Sequence, residues 1–455
     1  MKNNNLQSFL TFIKGCTLFF LFIACRTPKK VLENKFTNVT DQIVTPKSNL
    51  IDSLLKNAHV GISVFDVANN KYLNSYQADK YFIPASNLKI ATCYAALKYL
   101  GDSLAGLNYL EDDSTIQIQG TGDPSFLNPK FANQQVFQWL KSKSSKKIYL
   151  LNTNFKTSAY ANGWSVDDYL EPYMAERNGF PIYENIVIFN NKNGIQTEPK
   201  YFQKLISQSF EASNGDDKFK VKREIGTNNF LLSPGKNNTK KISFTTYAEN
   251  EILSNRLTAQ LLTDTLQQSV YSKPIYIKNN LKTLYSQRLD DVLKEMMTNS
   301  DNFIAEQLLL MMSDKLFNEM NENKLIQFVL NNDLNSLPQI PKWVDGSGLS
   351  RYNLITPEDF VFILNTLKKE IDWERIKNIF PKSNEGTLKG MFTNYSNNIF
   401  AKSGTLSNNY SLSGYLIANS GKEFTFSIMV NNHMLKTAEV KKAIEEYLTD
   451  IINNN

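Results

Sequence analysis

Ser86-Asn-Leu-Lys89 sets a hydroxyl at the start of an apolar run and an amine three residues on, so both project from one face of a helix. A serine whose proton is taken by a lysine is an acyl-transfer nucleophile that needs no histidine. Ser300-Asp-Asn302 adds a second hydroxyl and an amide in a break between helical stretches, and Lys402-Ser-Gly404 adds a cation beside a glycine that lets another backbone come close. Taken singly these spacings say little. Ser53-Leu-Leu-Lys56 and Ser144-Ser-Lys-Lys147 repeat the first, while Ser396-Asn-Asn398 and Ser407-Asn-Asn409 compete with the second. Most such matches are helix caps or solvated surface. Other chemistries are thinly supplied. The chain has two histidines, His59 and His433, both at the ends of apolar strands where structural roles are expected, and neither lies in a paired metal-ligand spacing. No metal site and no cofactor is therefore expected. Of three cysteines, Cys16 and Cys25 fall in the leader and Cys93 sits alone on an apolar helix face, so there is no disulfide framework.

The elements that must hold these groups are readable from periodicity. Leu50, Ile51, Leu54 and Leu55 recur at helical spacing, Val60, Ile62 and Val64 alternate as a half-buried strand, and Asn69-Asn70 marks a turn into a second strand, Lys71–Tyr76. A helix is expected from Ser86 to about Leu100, stopped by Gly101. Two more flank Thr298–Asn302, three strands run over Ile399–Leu406, Ser411–Ala418 and Phe424–Asn431, and a last helix carries Val440, Ile444, Leu448 and Ile451. Strands at both ends with helices between suggest one antiparallel sheet with helices on its faces, an α/β (α+β) sandwich built from the two ends of the chain. The intervening stretch has strand signals of its own at Lys147–Leu151, Asn185–Asn190 and Lys241–Thr246, and reads as an inserted domain.

The three motifs stand in the order Ser-x-x-Lys, Ser-Asp-Asn, Lys-Ser-Gly, an order shared by β-lactamases and penicillin-binding proteins, with KSG here for KTG. The segment Phe82–Thr92, the block Gly120-Thr-Gly-Asp-Pro124, the block Asn299–Gln307, the run Asp345-Gly-Ser-Gly-Leu-Ser-Arg-Tyr-Asn353 and Ala401–Leu406 together resemble the D-alanyl-D-alanine carboxypeptidases of the class C, low-molecular-mass penicillin-binding type. The resemblance covers nearly all of the chain after the leader, and the long span from Lys89 to Ser300 has room for that family's large insertion. It departs at Ser403, where Thr is usual, and at Thr121, where Gly is usual. It implies a penicillin-binding, β-lactamase-like transpeptidase domain over residues 48–119 plus 273–455, an antiparallel sheet flanked by helices, with the inserted domain at 120–272.

The resemblance also implies roles. Ser86 would attack the carbonyl of a D-Ala-D-Ala bond, giving an acyl-enzyme that water hydrolyses, with Lys89 or Lys402 as base. Ser300 would relay a proton to the leaving amine, and Asn302 would fix Lys89 or the substrate amide. Lys402, with the hydroxyls of Ser403 and Thr405, suits the terminal carboxylate, and the N–H groups of Ser86 and Thr405 would form an oxyanion hole beside Gly404. Asp123 and Arg351 could meet the amine and carboxylate of a diaminopimelyl group; equally, Asp123-Pro124 is a turn and Arg351 a structural ion pair. Peptidoglycan peptides are the implied substrates and β-lactams the implied covalent inhibitors. Two other readings stay open, a catalytically silent peptidoglycan-binding or sensor protein on this fold, and a β-lactamase with fast deacylation.

At 455 residues the chain can bury a large core in two or three domains, and 42% hydrophobic residues with few Gly and Pro exclude collagen-like and disordered classes. The +6 charge is spread without a basic block, so no nucleic-acid partner is indicated. Lys2 and Lys14 precede an apolar stretch, Gly15–Ala24, too short to span a bilayer, which needs about 20 residues. A signal peptide over residues 1–24 fits better. Leu21-Phe-Ile-Ala-Cys25 resembles a bacterial lipoprotein box, with Phe22 off the usual pattern, and implies Cys25 as a lipidated first residue tethered to a bacterial membrane by polar residues 25–47.

Overall fold

Two strands from the start of the chain and three from its end pair in one antiparallel sheet in the computed structural model, which describes residues 55–192, 194–207, 219–233 and 238–455. The leader, Cys25, the tether and the helical pattern at Leu50, Ile51 and Leu54 lie outside the described residues. In chain order, β1 (His59–Asp66) and β2 (Lys71–Tyr76) lead to α1 (Lys89–Tyr99), β3 (Ser103–Glu111), β4 (Thr115–Gly120), α2 (Gln135–Lys141) and β5 (Lys147–Leu151). Short strands follow, β6 (Ile186–Asn191), β7 (Gln196–Glu198), β8 (Ile206–Ser207), β9 (Lys220–Arg223), β10 (Phe230–Ser233) and β11 (Asn238–Thr245), then α3 (Glu251–Leu266), β12 (Val270–Lys273) and β13 (Lys282–Arg288). The chain closes with α4 (Leu289–Thr298), α5 (Asn302–Phe317), α6 (Glu322–Asn332), α7 (Pro357–Glu370), α8 (Trp373–Ile379), β14 (Ile399–Leu406), β15 (Asn409–Ile417), β16 (Glu423–Asn431) and α9 (Thr437–Asn454).

The main sheet runs β14-β15-β16-β1-β2, every pair antiparallel. Alternation decides its two faces. Val60, Ile62 and Val64 of β1 and Phe424, Phe426, Ile428 and Val430 of β16 form one core with Val440, Ile444, Leu448 and Ile451 of α9. Met429 and Tyr415 face the other way, into a helical core that includes Ile90, Cys93, Leu308, Phe360 and Leu364. Cys93 is thus a buried core thiol. The helix ends are chemically specified: Thr356 caps α7 in a reciprocal box with Asp359 and Pro357 takes the first position, while Asp301 caps α5. His59 stacks on Phe82 at 4.0 Å and His433 Nδ1 lies 3.1 Å from Leu435 O, both structural contacts.

A second sheet runs β12-β5-β4-β3-β13 and mixes parallel with antiparallel pairs. β3 pairs with β13 on one side and β4 on the other, so this sheet reaches from Ser103 to Arg288 and takes in strands on both sides of the boundaries expected at 120 and 272. Gly106 shows why β3 was hard to read. A side chain there would collide with Val136 of α2 and Ser286 of β13, so packing requires a glycine that interrupts the apolar alternation. Two three-stranded sheets, β8-β10-β9 and β11-β6-β7, complete the insertion.

Candidate active site

Ser86 lies in a tight 3-10 turn, Ala85–Leu88, which replaces the first turn of the helix expected from Ser86; the α-helix proper starts at Lys89. Ala85 holds φ at 49°, an uncommon conformation for a residue with a side chain, and a methyl on Gly348 would lie 1.8 Å from Ala85 O. The turn is pressed between the 345–353 loop and the main sheet. It rests on a patch of small sheet residues. Ser411 Oγ donates to Pro84 O at 2.6 Å, Asn87 Nδ2 donates to Ser413 Oγ at 2.7 Å, and Ser413 bonds Ser427 at 2.8 Å. A side chain at Gly404 would meet Pro84 O at 2.6 Å and Ser86 N at 2.8 Å, so that glycine lets edge strand β14 lie against the nucleophile turn.

Lys89 is fully buried and spends all three ammonium donors, on Ser86 Oγ at 2.9 Å, Asn302 Oδ1 at 2.7 Å and Ser347 O at 2.7 Å. Burial pushes its pKa down to about 8, against the opposing pull of Asp345, Asp301 and Glu306. The three partners differ in one respect. Ser347 O and Asn302 Oδ1 can only accept, so when Lys89 loses a proton its lone pair can face only Ser86, whose hydroxyl can turn and donate. Asn302 is oriented from its far side, where Nδ2 donates to Tyr173 O at 3.0 Å.

The remaining expected residues divide. Lys402 is fully buried on β14, donates to Ser403 O at 2.6 Å, and is driven well below the ordinary lysine range by burial and then by the charge of Lys89. Ser403 Oγ donates to Thr387 Oγ1 at 2.7 Å, and Thr405 is exposed. Ser300 is half-buried in the break between α4 and α5 with φ at 59°. Asp123 and Arg351 are not brought together. Asp123 is 2% exposed and its Oδ1 accepts from Ser125 N at 2.9 Å and Ser125 Oγ at 2.7 Å, the turn alternative, with burial pushing its pKa up to about 6. Arg351 is exposed and is not among the groups that act on the Asp123 carboxyl. Of the two alternatives open for Asp123, the turn contacts are present through Oδ1, while Oδ2 is buried with no hydrogen-bond partner among the described residues.

Four groups that sequence reasoning did not single out complete the site. Asp345 accepts from Gly348 N, Ser350 N, Asn353 Nδ2 and Trp164 Nε1, between 2.6 and 2.9 Å, and so shapes the loop that gives Lys89 its acceptor. Glu306 Oε1 accepts from Ser347 N at 2.8 Å and its Oε2 from the buried Arg177 at 3.2 Å. Tyr173 O orients Asn302, and Thr387 holds Ser403. Asp345 and Glu306 stood inside recognised blocks, but the partners through which they shape the loop are main-chain N–H groups, which leave no residue-type signal. Among the described residues no cluster of three or more His, Cys, Asp or Glu could hold a metal ion, and no helix is long and apolar enough to cross a membrane.

The model of the D-Ala-D-Ala carboxypeptidase 3 (S13) family matches residues 47–453. The D-alanyl-D-alanine carboxypeptidase DacB of Haemophilus influenzae is 25% identical over 443 residues, 87% of this chain and 90% of that protein. Among solved structures, penicillin binding protein 4 (dacB) of Haemophilus influenzae superposes with a TM-score of 0.74 at 20% identity, over 89% of this chain and 98% of that one. A predatory endopeptidase of Bdellovibrio bacteriovorus shares the fold at a TM-score of 0.52 and 15% identity, over 87% of this chain and 93% of that one.

Proposed function

The chain belongs to the D-Ala-D-Ala carboxypeptidase 3 (S13) family of serine-type peptidases, and from that premise we propose that Ser86 is its acylated nucleophile, Lys89 its general base, and cell-wall peptides ending in D-Ala-D-Ala its substrates. The observation that carries the assignment is the fully buried Lys89 amine, whose neutral form has only Ser86 to accept from. Lys402, driven well below the ordinary lysine range by burial and then by the charge of Lys89, faces the substrate carboxylate. Lys89 in its neutral form takes the Ser86 proton. Ser86 Oγ bonds to the penultimate D-Ala carbonyl carbon, and the tetrahedral oxygen lies between the N–H groups of Ser86 and Thr405. As the C–N bond breaks, the proton passes from Lys89 by way of Ser300 to the leaving D-Ala amine. A water molecule, deprotonated by the same lysine, then splits the ester and restores Ser86.

The same acylation with the strained amide of penicillin leaves a covalent adduct, as suits a fold shared with a penicillin binding protein that has also been solved in complex with a β-lactam. D-Ala-diaminopimelyl cross-links are a second substrate class, since a structure sharing the fold is of a predatory endopeptidase. Export with a lipid on Cys25 completes the reading, and metabolic lipid labelling of the full chain against Cys25→Ser decides it. The principal test is a fluorescent penicillin followed by mapping of the labelled residue. Label is expected on Ser86, and Ser86→Ala is expected to lose label and D-Ala release by about 10⁴-fold or more. Label on any other serine overturns the assignment.

A further inference from the structure

We propose that Glu306 is a positioning residue for Lys89, pinning the main chain of Ser347 that the amine binds, and that Arg177 of the inserted region holds Glu306 in place; this rests on reading Lys89 as the base. Glu306 follows Asn302 by one turn of α5, so one helix face presents both toward the lysine. Its side chain is 1% exposed. Oε1 accepts from Ser347 N at 2.8 Å, and Ser347 O accepts from Lys89 Nζ at 2.7 Å. The peptide unit that supplies Ser347 N is clamped on its other side too, where Thr92 Oγ1 of α1 donates to Gly346 O at 2.7 Å. The next unit carries Ser347 O, and its N–H, from Gly348, donates to Asp345 Oδ1 at 2.9 Å. Two successive peptides are thus oriented by buried carboxylates, and the carbonyl of the second meets the lysine.

The other oxygen of Glu306 is held from the insertion. Arg177 is fully buried and donates to Glu306 Oε2 at 3.2 Å, to Glu322 Oε1 of α6 at 3.1 Å and to Ser158 O at 2.9 Å. A plain structural clamp would need only the Arg177 contacts. Here one oxygen serves the clamp and the other serves the loop that supplies the acceptor of Lys89. The charges facing Lys89 come from every element packed on it: Glu306 and Asp301 from α5 and its cap, Asp345 from the loop, and Lys402 from β14. Burial and then Asp345 push Glu306 up to about 7, while Arg177 and the bond from Ser347 pull it down.

The test is the second-order rate constant of Ser86 acylation by penicillin, measured against pH in the full chain. Glu306→Gln removes a negative charge beside Lys89 and thereby favours the neutral amine. The midpoint of the rising limb is expected to move to lower pH by about one unit, with the limiting rate lowered roughly ten-fold. Glu306→Asp keeps the charge but shortens the reach to Ser347 N, so its midpoint is expected to stay where the wild type has it while the limiting rate falls. A midpoint unmoved in Glu306→Gln, with Ser86 still the labelled residue, overturns the proposal. Should Glu306→Gln not fold, an undiminished limiting rate in Glu306→Asp overturns it instead. The parent reading fails separately: Lys89→Met acylating Ser86 at the wild-type rate would remove Lys89 as base whatever Glu306 does.

Discussion

At the scale of single residues, the chemistry turns on how many hydrogen bonds an amine can donate. A charged Lys89 fills three acceptors, and a neutral one can keep two and receive one. Direction of proton transfer is therefore fixed by the identity of the partners. The pH dependence follows with a definite sign. Lys89 is depressed from the ordinary lysine value to about 8, so the base is mostly protonated below that value and mostly neutral above it. A second-order rate constant reports the free enzyme's groups, so penicillin acylation is expected to rise about ten-fold per pH unit below that midpoint and to flatten above it. Stopped-flow or gel-based acylation from pH 6 to 9 makes the measurement. A rate flat from pH 6 to 8 would assign the base to another group. The residues that speak by type, Ser86, Lys89, Asn302 and Lys402, were legible in the sequence. Asp345 and Glu306 were not, because each acts on backbone N–H groups, which any residue type carries, those of Gly348 and Ser350 for Asp345 and that of Ser347 for Glu306. Asp123 stayed open between two readings, since a carboxylate capping its own turn looks in sequence like one offered to a ligand.

Elements translate those contacts into placement. The main sheet was legible because both of its faces are buried against apolar helices and its period-2 runs are long. The pairing of β3 with β13 was not legible, because it spans more than 170 residues and β3 carries a packing glycine. Close approach of β14 to the nucleophile turn depends on another glycine. A valine at Gly404 would push its side chain against Pro84 O, Ser411 Oγ and Ser86 N, all within 2.8 Å of its Cβ. Gly404→Val is expected to slow Ser86 acylation by roughly a hundred-fold or more, while overpacking costs about 1 to 3 kcal/mol of stability, short of unfolding. Penicillin labelling together with a thermal melt separates the two effects. Wild-type labelling in a folded Gly404→Val protein would mean that the strand edge need not touch the turn.

Across the molecule, the insertion reaches back to the motifs at several points. Tyr173 O orients Asn302, Arg177 meets Glu306, Lys130 pairs with both Asp301 and Glu184, and Gly163 O accepts from Arg351 N at 3.1 Å. The segment from Thr157 to Arg177 is thereby docked on the 345–353 loop, with Ser350 Oγ donating to Asn162 O at 2.6 Å. Arg351 is left exposed beside that segment, close enough for its charge to lower the pKa of Tyr173 against the larger effects of burial and Asp168. We expect Arg351 to meet the substrate, since an exposed guanidinium there would fit a carboxylate on the peptide's side chain. Such a charged contact is worth about 1.5 to 3 kcal/mol, so Arg351→Ala is expected to lower kcat/KM roughly ten- to a hundred-fold on peptides with a free diaminopimelyl end. Penicillin has no such side chain, and its acylation rate is expected to hold. The comparison of both substrates on one variant is decisive because docking and recognition predict different patterns. If Arg351 only holds the 345–353 loop against the insertion, Lys89 loses its acceptor and both substrates suffer equally. If it reads the substrate, the peptide alone pays for its absence.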